Sequence, residues 1–342
     1  MNDYTNLDSG PRNQTLIVVE GKREKDYILR ILLKSFQEIP IQMKNIHVYE
    51  SNIYDLYREI EKEYGVQWYE DDLDINIPLL ISRRNHLNPV IDKKDFTNII
   101  LMFDYERQDP FFSSGKILKM QKHFRNVEDE GILYINYPMI ESMYHYKNFP
   151  DKDFISRNVS VRCRPGSMYK QIVRDESVVF EYLNLYENLR KCISSKVNIS
   201  KNIEEEVIDN VLSVTNTDAL KDIIDIFTRS LNCSEKKKTN LKYSLFKLVS
   251  KQAFINDEIS YWNDIRNYLI HIALDNIRKA NWLVNKQEFS RSTIKEQYYS
   301  IDWSEVLEVQ NKYSADDKDG IIMVLCTFIT ILGEYKFFWN VI

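Results

Sequence analysis

Val18-Val19-Glu20-Gly21-Lys22-Arg23-Glu24 and, further along, Met102-Phe103-Asp104-Tyr105-Glu106 are the stretches on which the reading of this sequence turns. In each, an uninterrupted apolar, β-branched run stops at a carboxylate. Runs without polar alternation suit strands buried on both faces of a parallel sheet. Two carboxylates delivered from the carboxyl ends of neighbouring parallel strands make a site for a hard divalent cation, a common setting for phosphate chemistry.

Around these stretches, residues 16–136 alternate apolar runs with helical periodicity in four β-α units. Leu16-Ile17-Val18-Val19 precedes a helical 23–36, and Ile46-His47-Val48-Tyr49 precedes 53–64; 98–103 precedes 114–124, and 131–135 precedes 139–146. The expectation is an α/β domain over 1–150, a small parallel sheet with flanking helices. Residues 65–97 interrupt it as an insertion rich in Asp, Asn and Pro that carries Glu70, Asp71, Asp72 and Asp74 and the basic pair Arg83-Arg84. Beyond Asp151 the strand signals stop, and 176–195, 203–214, 218–231, 241–254, 261–284 and 321–339 show three-and-four apolar spacing, so an all-helical C-terminal domain is expected over 151–342. The boundary reads at Phe149-Pro150 or at Arg164-Pro165-Gly166, and the apolar run 321–332 reads as a buried terminal helix.

Bulk composition narrows the function classes. With 342 residues, 44% hydrophobic and 28% charged, the chain is long enough for two domains with real cores. A net charge of −5 argues against a protein that coats nucleic acid electrostatically, so any such contact must be local. Four scattered cysteines without a CxxC pair suit a reducing cytoplasm, and His47, His86, His123 and His145 have no zinc-like spacing. Residues 1–14 are polar, the longest apolar run is too short for a bilayer, and no membrane partner is expected. The absence of GxGxxG and GxxxxGK[ST] removes the main support for dinucleotide and P-loop readings.

Glu-Gly at the end of the first strand, the four-strand β-α order and the acidic pair Asp104-x-Glu106 at the end of the third together resemble the Toprim domain of topoisomerases, bacterial primases and OLD-family nucleases. The resemblance covers about residues 16–146. It implies a divalent-metal site for phosphodiester cleavage centred on Glu20 and Asp104 and loaded with Mg²⁺ or Mn²⁺. Glu20-Gly21-x-x-Glu24 is similar to the OLD-like branch, where Glu24 would help hold a second metal. Tyr137-Pro138-Met139-Ile140-Glu141-Ser142 resembles an acidic turn of related Toprim effectors, which adds Glu141. The pair departs from the usual Asp-x-Asp, which leaves the role of Glu106 open. In function, this pattern most resembles Toprim effectors of ATPase-coupled anti-phage systems such as PARIS. This implies a toxic nuclease of abortive infection that acts on RNA, including tRNA, or on DNA, with a separate ATPase partner; a homodimer fits the same picture.

Other readings stand beside this one. Glu24 complements a helix dipole and Glu141 opens a helix in the plainer account. Arg83, Arg84, Arg162, Arg164 and Lys147 are phosphate-contact candidates or simply solvated charges. Arg266-Asn267 with His271 resembles the motif of HEPN ribonucleases, which implies metal-independent RNA cleavage with His271 moving the proton and Arg266 stabilising phosphate charge. The packing alternative has Arg266 serving an acidic neighbour such as Asp264. A third reading is a non-catalytic interaction subunit of an ATPase assembly, with Tyr261, Trp262, Trp282, Phe337, Phe338 and Trp339 as anchors.

Overall fold

A computed structural model describes residues 14–70, 73–126, 130–163, 167–255, 259–286 and 293–342. They fall into two compact units. The first takes the described residues of Met1–Leu33, Gln37–Ser177 and Ile270–Ile342, and the second those of Lys34–Phe36 and Val178–Leu269.

The first unit is α/β and is built on a mostly parallel five-stranded sheet. Its strands are β1 (Thr15–Val19), β2 (Ile46–Val48), β3 (Asn98–Asp104), β4 (Arg125–Asn126) and β5 (Gly131–Asn136), in the order β2-β1-β3-β5-β4. The first four in that order run parallel, and the short β4 pairs antiparallel at the edge. Every residue of β1, β3 and β5 is buried, as continuous apolar runs require of strands covered on both faces. Gly131 opens β5 at φ +107°, where a Cβ would stand 3.0 Å from Ile99, so a side chain there would both strain the backbone and crowd β3.

The topology sets the site. From β1 the chain goes out to β2 on one side, then returns to lay β3 on the other. That reversal separates the loops at the carboxyl ends of β1 and β3 and opens the crevice where α/β sheets bind ligands. Val19 is in register with Met102, so Glu20 and Asp104 leave adjacent strands at nearly the same level.

Several expected elements differ. Residues 23–36 form a π-helical turn, Glu24–Leu29, that runs into the α-helix Arg30–Ser35. The segment after β5 is a short 3₁₀ turn, Ile140–Tyr144. The insertion is folded: it contains the helix Ile77–Arg84, whose Asn76 side chain accepts from the Leu79 N–H and whose Ile77, Leu80 and Ile81 are buried.

The largest correction concerns the C-terminal half. Residues 151–177 and 270–342 belong to the sheet-bearing unit, so the helical region is much shorter than 151–342. Here β6 (Asn158–Ser160) pairs antiparallel with β7 (Ile321–Met323), and Tyr137 bridges Leu325. Residues 321–332, expected as a helix, are therefore strand, bridge and the start of the 3₁₀ turn Phe328–Glu334. Tertiary hydrogen bonds override the helical period. Asn276 Oδ1 takes the Cys326 N–H at 2.7 Å, Thr327 Oγ1 donates to the Ile135 carbonyl at 3.0 Å, and the buried Gln310 amide both donates to and accepts from Met323.

The second unit is helical, with Phe180–Leu183, Leu185–Ser194, Lys201–Ser213, Thr217–Ser230, Glu235–Val249 and the first part of Tyr261–Asn285. Buried residues recur at helical spacing, as in Val207, Ile208, Val211 and Leu212 or Leu241, Leu245 and Val249, and Ser200 and Asn216 cap two of the helices. Among the described residues, no helix is long and apolar enough to cross a membrane.

Candidate functional site

Glu20 is the first residue past β1 and Asp104 the last of β3. One oxygen of Glu20, Oε2, accepts the Asp104 backbone N–H at 3.2 Å, and Asp104 Oδ1 in turn accepts the Ile140 N–H at 2.9 Å. A single chain of contacts thus runs across the carboxyl ends of β1 and β3 and onto the turn after β5. Gly21 allows the next step: a Cβ there would lie 2.7 Å from Glu24 Oε2, because the Glu24 side chain folds back over the glycine. Glu141 is 2% exposed in the turn Ile140–Tyr144, where its Oε1 receives Arg23 at 2.8 Å and Lys170 at 3.3 Å. Glu106 takes a left-handed backbone conformation, φ +41°, uncommon outside glycine, and its carboxylate lies 3.5 Å from the Asn52 amide. That same amide donates to Asp109 at 2.7 Å, while its oxygen caps the helix Ile53–Tyr64.

The five sequence candidates Glu20, Glu24, Asp104, Glu106 and Glu141 therefore sit in one electrostatic neighbourhood. Burial, then the charge of Glu106, pushes the Glu20 carboxyl up to about 8. Burial, followed by Glu20, Glu24, Glu141 and Glu106, holds the Asp104 carboxyl well above the usual range. Burial likewise raises Glu24, with Glu141 adding to the effect, and raises Glu106, with Asp109 adding. Such mutually raised carboxyls mark a place where negative charge exceeds local compensation.

The donor set suits a hard cation, since it is all carboxylate oxygen, and Glu141 Oε2 is buried with no hydrogen-bond partner. Among the described residues, however, no three His, Cys, Asp or Glu side chains stand together in metal-holding geometry. The contacts explain this: Glu20 and Asp104 each spend an oxygen on a backbone N–H, Glu106 is drawn to Asn52, and Glu141 is drawn to Arg23 and Lys170. A cation would share or replace these partners rather than drop into a finished cage.

The remaining candidates lie elsewhere. Arg83 pairs with Glu63 at 2.7 Å; Arg84 lies over the Tyr49 ring, donates to the Tyr49 carbonyl and pairs with Glu59. Lys147 pairs with Glu176 at 2.9 Å, and Arg162 is exposed beyond β6. Arg164, Asp71 and Asp72 lie outside the described residues. Arg266 donates to the Ser35 carbonyl at 3.2 Å and covers the Phe36 ring within the second unit. Asn267 is exposed, and His271, assigned to the first unit, meets Phe149 edge-on at 5.9 Å. A cavity of about 500 Å³ lined by His145, Lys147, Arg157 and Glu176 among others includes none of the five carboxylates.

Sequence reasoning missed Asn52, Asp109 and Lys170. Asn52 carried a local signal, an Asn directly before a helical period, but its second role towards Glu106 and Asp109 did not. Lys170 carried none, because its partner Glu141 lies on a different element far back in the chain.

Compared with known proteins, the chain matches no protein-family model, no curated protein and no solved structure.

Proposed function

We propose that this chain is a divalent-metal-dependent nuclease of the Toprim, OLD-like type, using Glu20 and Asp104 as its centre. The observation that carries the reading is the pairing of those two carboxylates at the reversal point of a parallel sheet, with both carboxyls raised by burial and by each other's neighbourhood. Glu20 and Asp104 would hold the Mg²⁺ or Mn²⁺, with Glu24, Glu106 and Glu141 as further oxygen donors. A cation held there would supply Lewis acidity, activating water and offsetting charge on the phosphodiester. Glu24, folded over Gly21 with a raised carboxyl, would supply one of those oxygen donors beside Glu20. The substrate is RNA, including tRNA, or DNA, and the biological role is that of an anti-phage effector working with a separate ATPase in the cytoplasm.

A second reading has its own support. The lack of a ready-made three-ligand group among the described residues favours a Toprim-like sheet kept as an interaction subunit of an ATPase assembly. One experiment separates the two. Purified chain is incubated with RNA and DNA in Mg²⁺ or Mn²⁺, in EDTA, and as Glu20→Ala. Metal-dependent cutting lost in the variant supports the nuclease; undiminished cutting in EDTA or in the variant removes it, and no cutting together with no calorimetric metal binding supports the interaction subunit.

A further inference from the structure

Residues 113–126 contain Lys116, Lys119, Lys122 and Arg125 and no Asp or Glu, in a chain whose net charge is −5. The three lysines stand three residues apart on the helix Ser114–His123, whose Ile117 and Met120 are buried. They therefore follow its outer side, about 9 Å from first to last along the axis. The helix joins β3 to the edge pair β4 and β5. Because β5 runs parallel to β3, it must run back towards the amino ends of the strands. Its first turn thus lies on the side of the carboxylate crevice, and its last leads to Arg125 in β4.

Aromatic rings accompany these cations. Lys116 lies over the Tyr57 ring at 5.0 Å and Lys119 over the Tyr69 ring at 3.5 Å. Lys122 meets Glu308 at 3.2 Å, with both side chains half-exposed, an arrangement that holds a charge loosely. Among the described residues, Lys116, Lys119 and Arg125 make no ion pair with a carboxylate. The helix Glu235–Val249 shows the ordinary alternative, a solvated lysine run balanced by acid: Lys238 pairs with Glu235 and Lys242 with Asp225. At the far end of the unbalanced stripe lies a cavity of about 260 Å³ lined by Gln121, Lys122, Arg125, Tyr299 and Trp303 among others. Both rings are braced, Tyr299 against Trp339 at 6.3 Å and Trp303 against Tyr134 at 6.1 Å, and Tyr299 is exposed. Unneutralised cations in a row, ending at braced rings beside a hollow, suit a phosphodiester chain with an unpaired base.

Resting on the nuclease reading above, we infer that Lys116, Lys119, Lys122 and Arg125 form a track for single-stranded nucleic acid leading away from the carboxylate crevice, with one base stacked on Tyr299 in the cavity at its end. The cations take the phosphates, which is where a chain of net negative charge needs a local basic surface. The ring takes the base, so the track favours strands whose bases are free over a duplex.

The test is fluorescence anisotropy of labelled oligouridylate and oligodeoxythymidylate, about 16 nucleotides long, with the full chain in EDTA over a range of salt. Replacing Lys119, Lys122 and Arg125 together by Gln is expected to weaken binding about tenfold or more and to reduce the salt slope by about 2, near 0.7 for each lost phosphate contact. The charge-keeping set Lys119→Arg, Lys122→Arg and Arg125→Lys should stay within about threefold of the wild type. Tyr299→Leu is expected to weaken binding about tenfold with the slope unchanged, as loss of stacking does. Should the triple Gln variant melt early, Arg125→Gln alone, on an exposed edge strand, is expected to lower the slope by about 0.7. Wild-type affinity and slope in the Gln variants overturn the track, and so does a wild type that binds vesicles of anionic lipid but no strand. Cutting of the same strands in Mn²⁺ reads the nuclease separately: cutting without any strand binding in EDTA overturns the track alone, and neither binding nor cutting overturns both.

Discussion

The backbone N–H of Asp104 donates to Oε2 of Glu20 at 3.2 Å, so the residue that closes β3 steadies the carboxylate that follows β1. This one contact opposes what burial and the neighbouring carboxylates do to Glu20, and its effect is the smaller. The site is held together by the fold against its own electrostatics.

Neutralising either member is therefore expected to stabilise the metal-free protein while ending catalysis. Glu20→Gln and Asp104→Asn keep the shapes and hydrogen-bond acceptors but remove a carboxyl whose charged form burial disfavours. Each should raise the melting temperature at neutral pH, by about 1 kcal/mol in stability, and lower cleavage at least about a hundredfold. Thermal melting and initial rates measured on the same preparations check both halves; a variant that melts lower and cuts normally contradicts them.

Glu20 titrates at about 8 in the folded chain against an ordinary 4.5. Between those values the folded protein holds a proton the unfolded chain has released. The stability this contributes is full below pH 4.5 and is lost as pH rises through 8. Asp104, Glu24 and Glu106 act with the same sign, while Asp151 and Glu176, whose carboxyls are held low, act only in the acid range. Metal-free protein is expected to melt several degrees lower above pH 8 than near pH 6, and saturating Mg²⁺ should remove most of the difference. A melting series with and without Mg²⁺ reads this directly.

Gly21→Ala places a Cβ where Glu24 Oε2 now lies, 2.7 Å away. The obstructing atom ends a flexible side chain, so the cost in stability is small, about 0.5 kcal/mol or less. The Glu24 carboxylate must turn away, however, and cleavage is expected to fall about tenfold or more with little change in melting. Equal losses of stability and rate would instead mean a damaged fold.

Asn52 has two separable duties. Its oxygen accepts the Tyr54 and Asp55 N–H groups at 3.1 Å, and its amide serves Asp109 and Glu106. Asn52→Ala loses both and is expected to cost about 1 kcal/mol of stability. Asn52→Asp keeps the cap but sets a third carboxylate beside Asp109 and Glu106, so its stability should recover only in Mg²⁺ or at lower pH. Chemical denaturation at two pH values distinguishes the variants.

Arg266→Ala removes a guanidinium that closes on the Ser35 carbonyl and the Phe36 ring. It is expected to lower stability by about 1 kcal/mol while the rate of metal-dependent cleavage of the folded fraction stays within about twofold. Metal-independent RNA cleavage that vanishes in this variant and in His271→Ala would instead establish the HEPN-like reading.

Particular residues show why some of this was legible from sequence and some was not. Leu16 to Val19 and Ile99 to Phe103 announce buried parallel strands because no polar residue alternates within them, and Glu20 and Asp104 follow as the first charges past each run. Glu24 and Glu141 entered only through the resemblance of Glu20-Gly21-x-x-Glu24 and of residues 137–142 to Toprim nucleases and effectors. The run 321–332 misled because its apolar residues satisfy a helical period as well as a strand, and long-range hydrogen bonds from Asn276 and Gln310 decide between them.

Parallel strands, their acidic ends and the helical character of much of the later chain follow from local patterns of burial and charge along the chain. Long-range packing sets β1 and β3 side by side at the sheet's reversal, joins residues 270–342 to the sheet-bearing unit, and brings Arg23, Lys170 and Asn52 to the carboxylates. Ion pairs and hydrogen bonds between distant elements form because folding brings charges into a shared low-dielectric space, and nothing in the spacing along the chain encodes which cation a buried carboxylate will find.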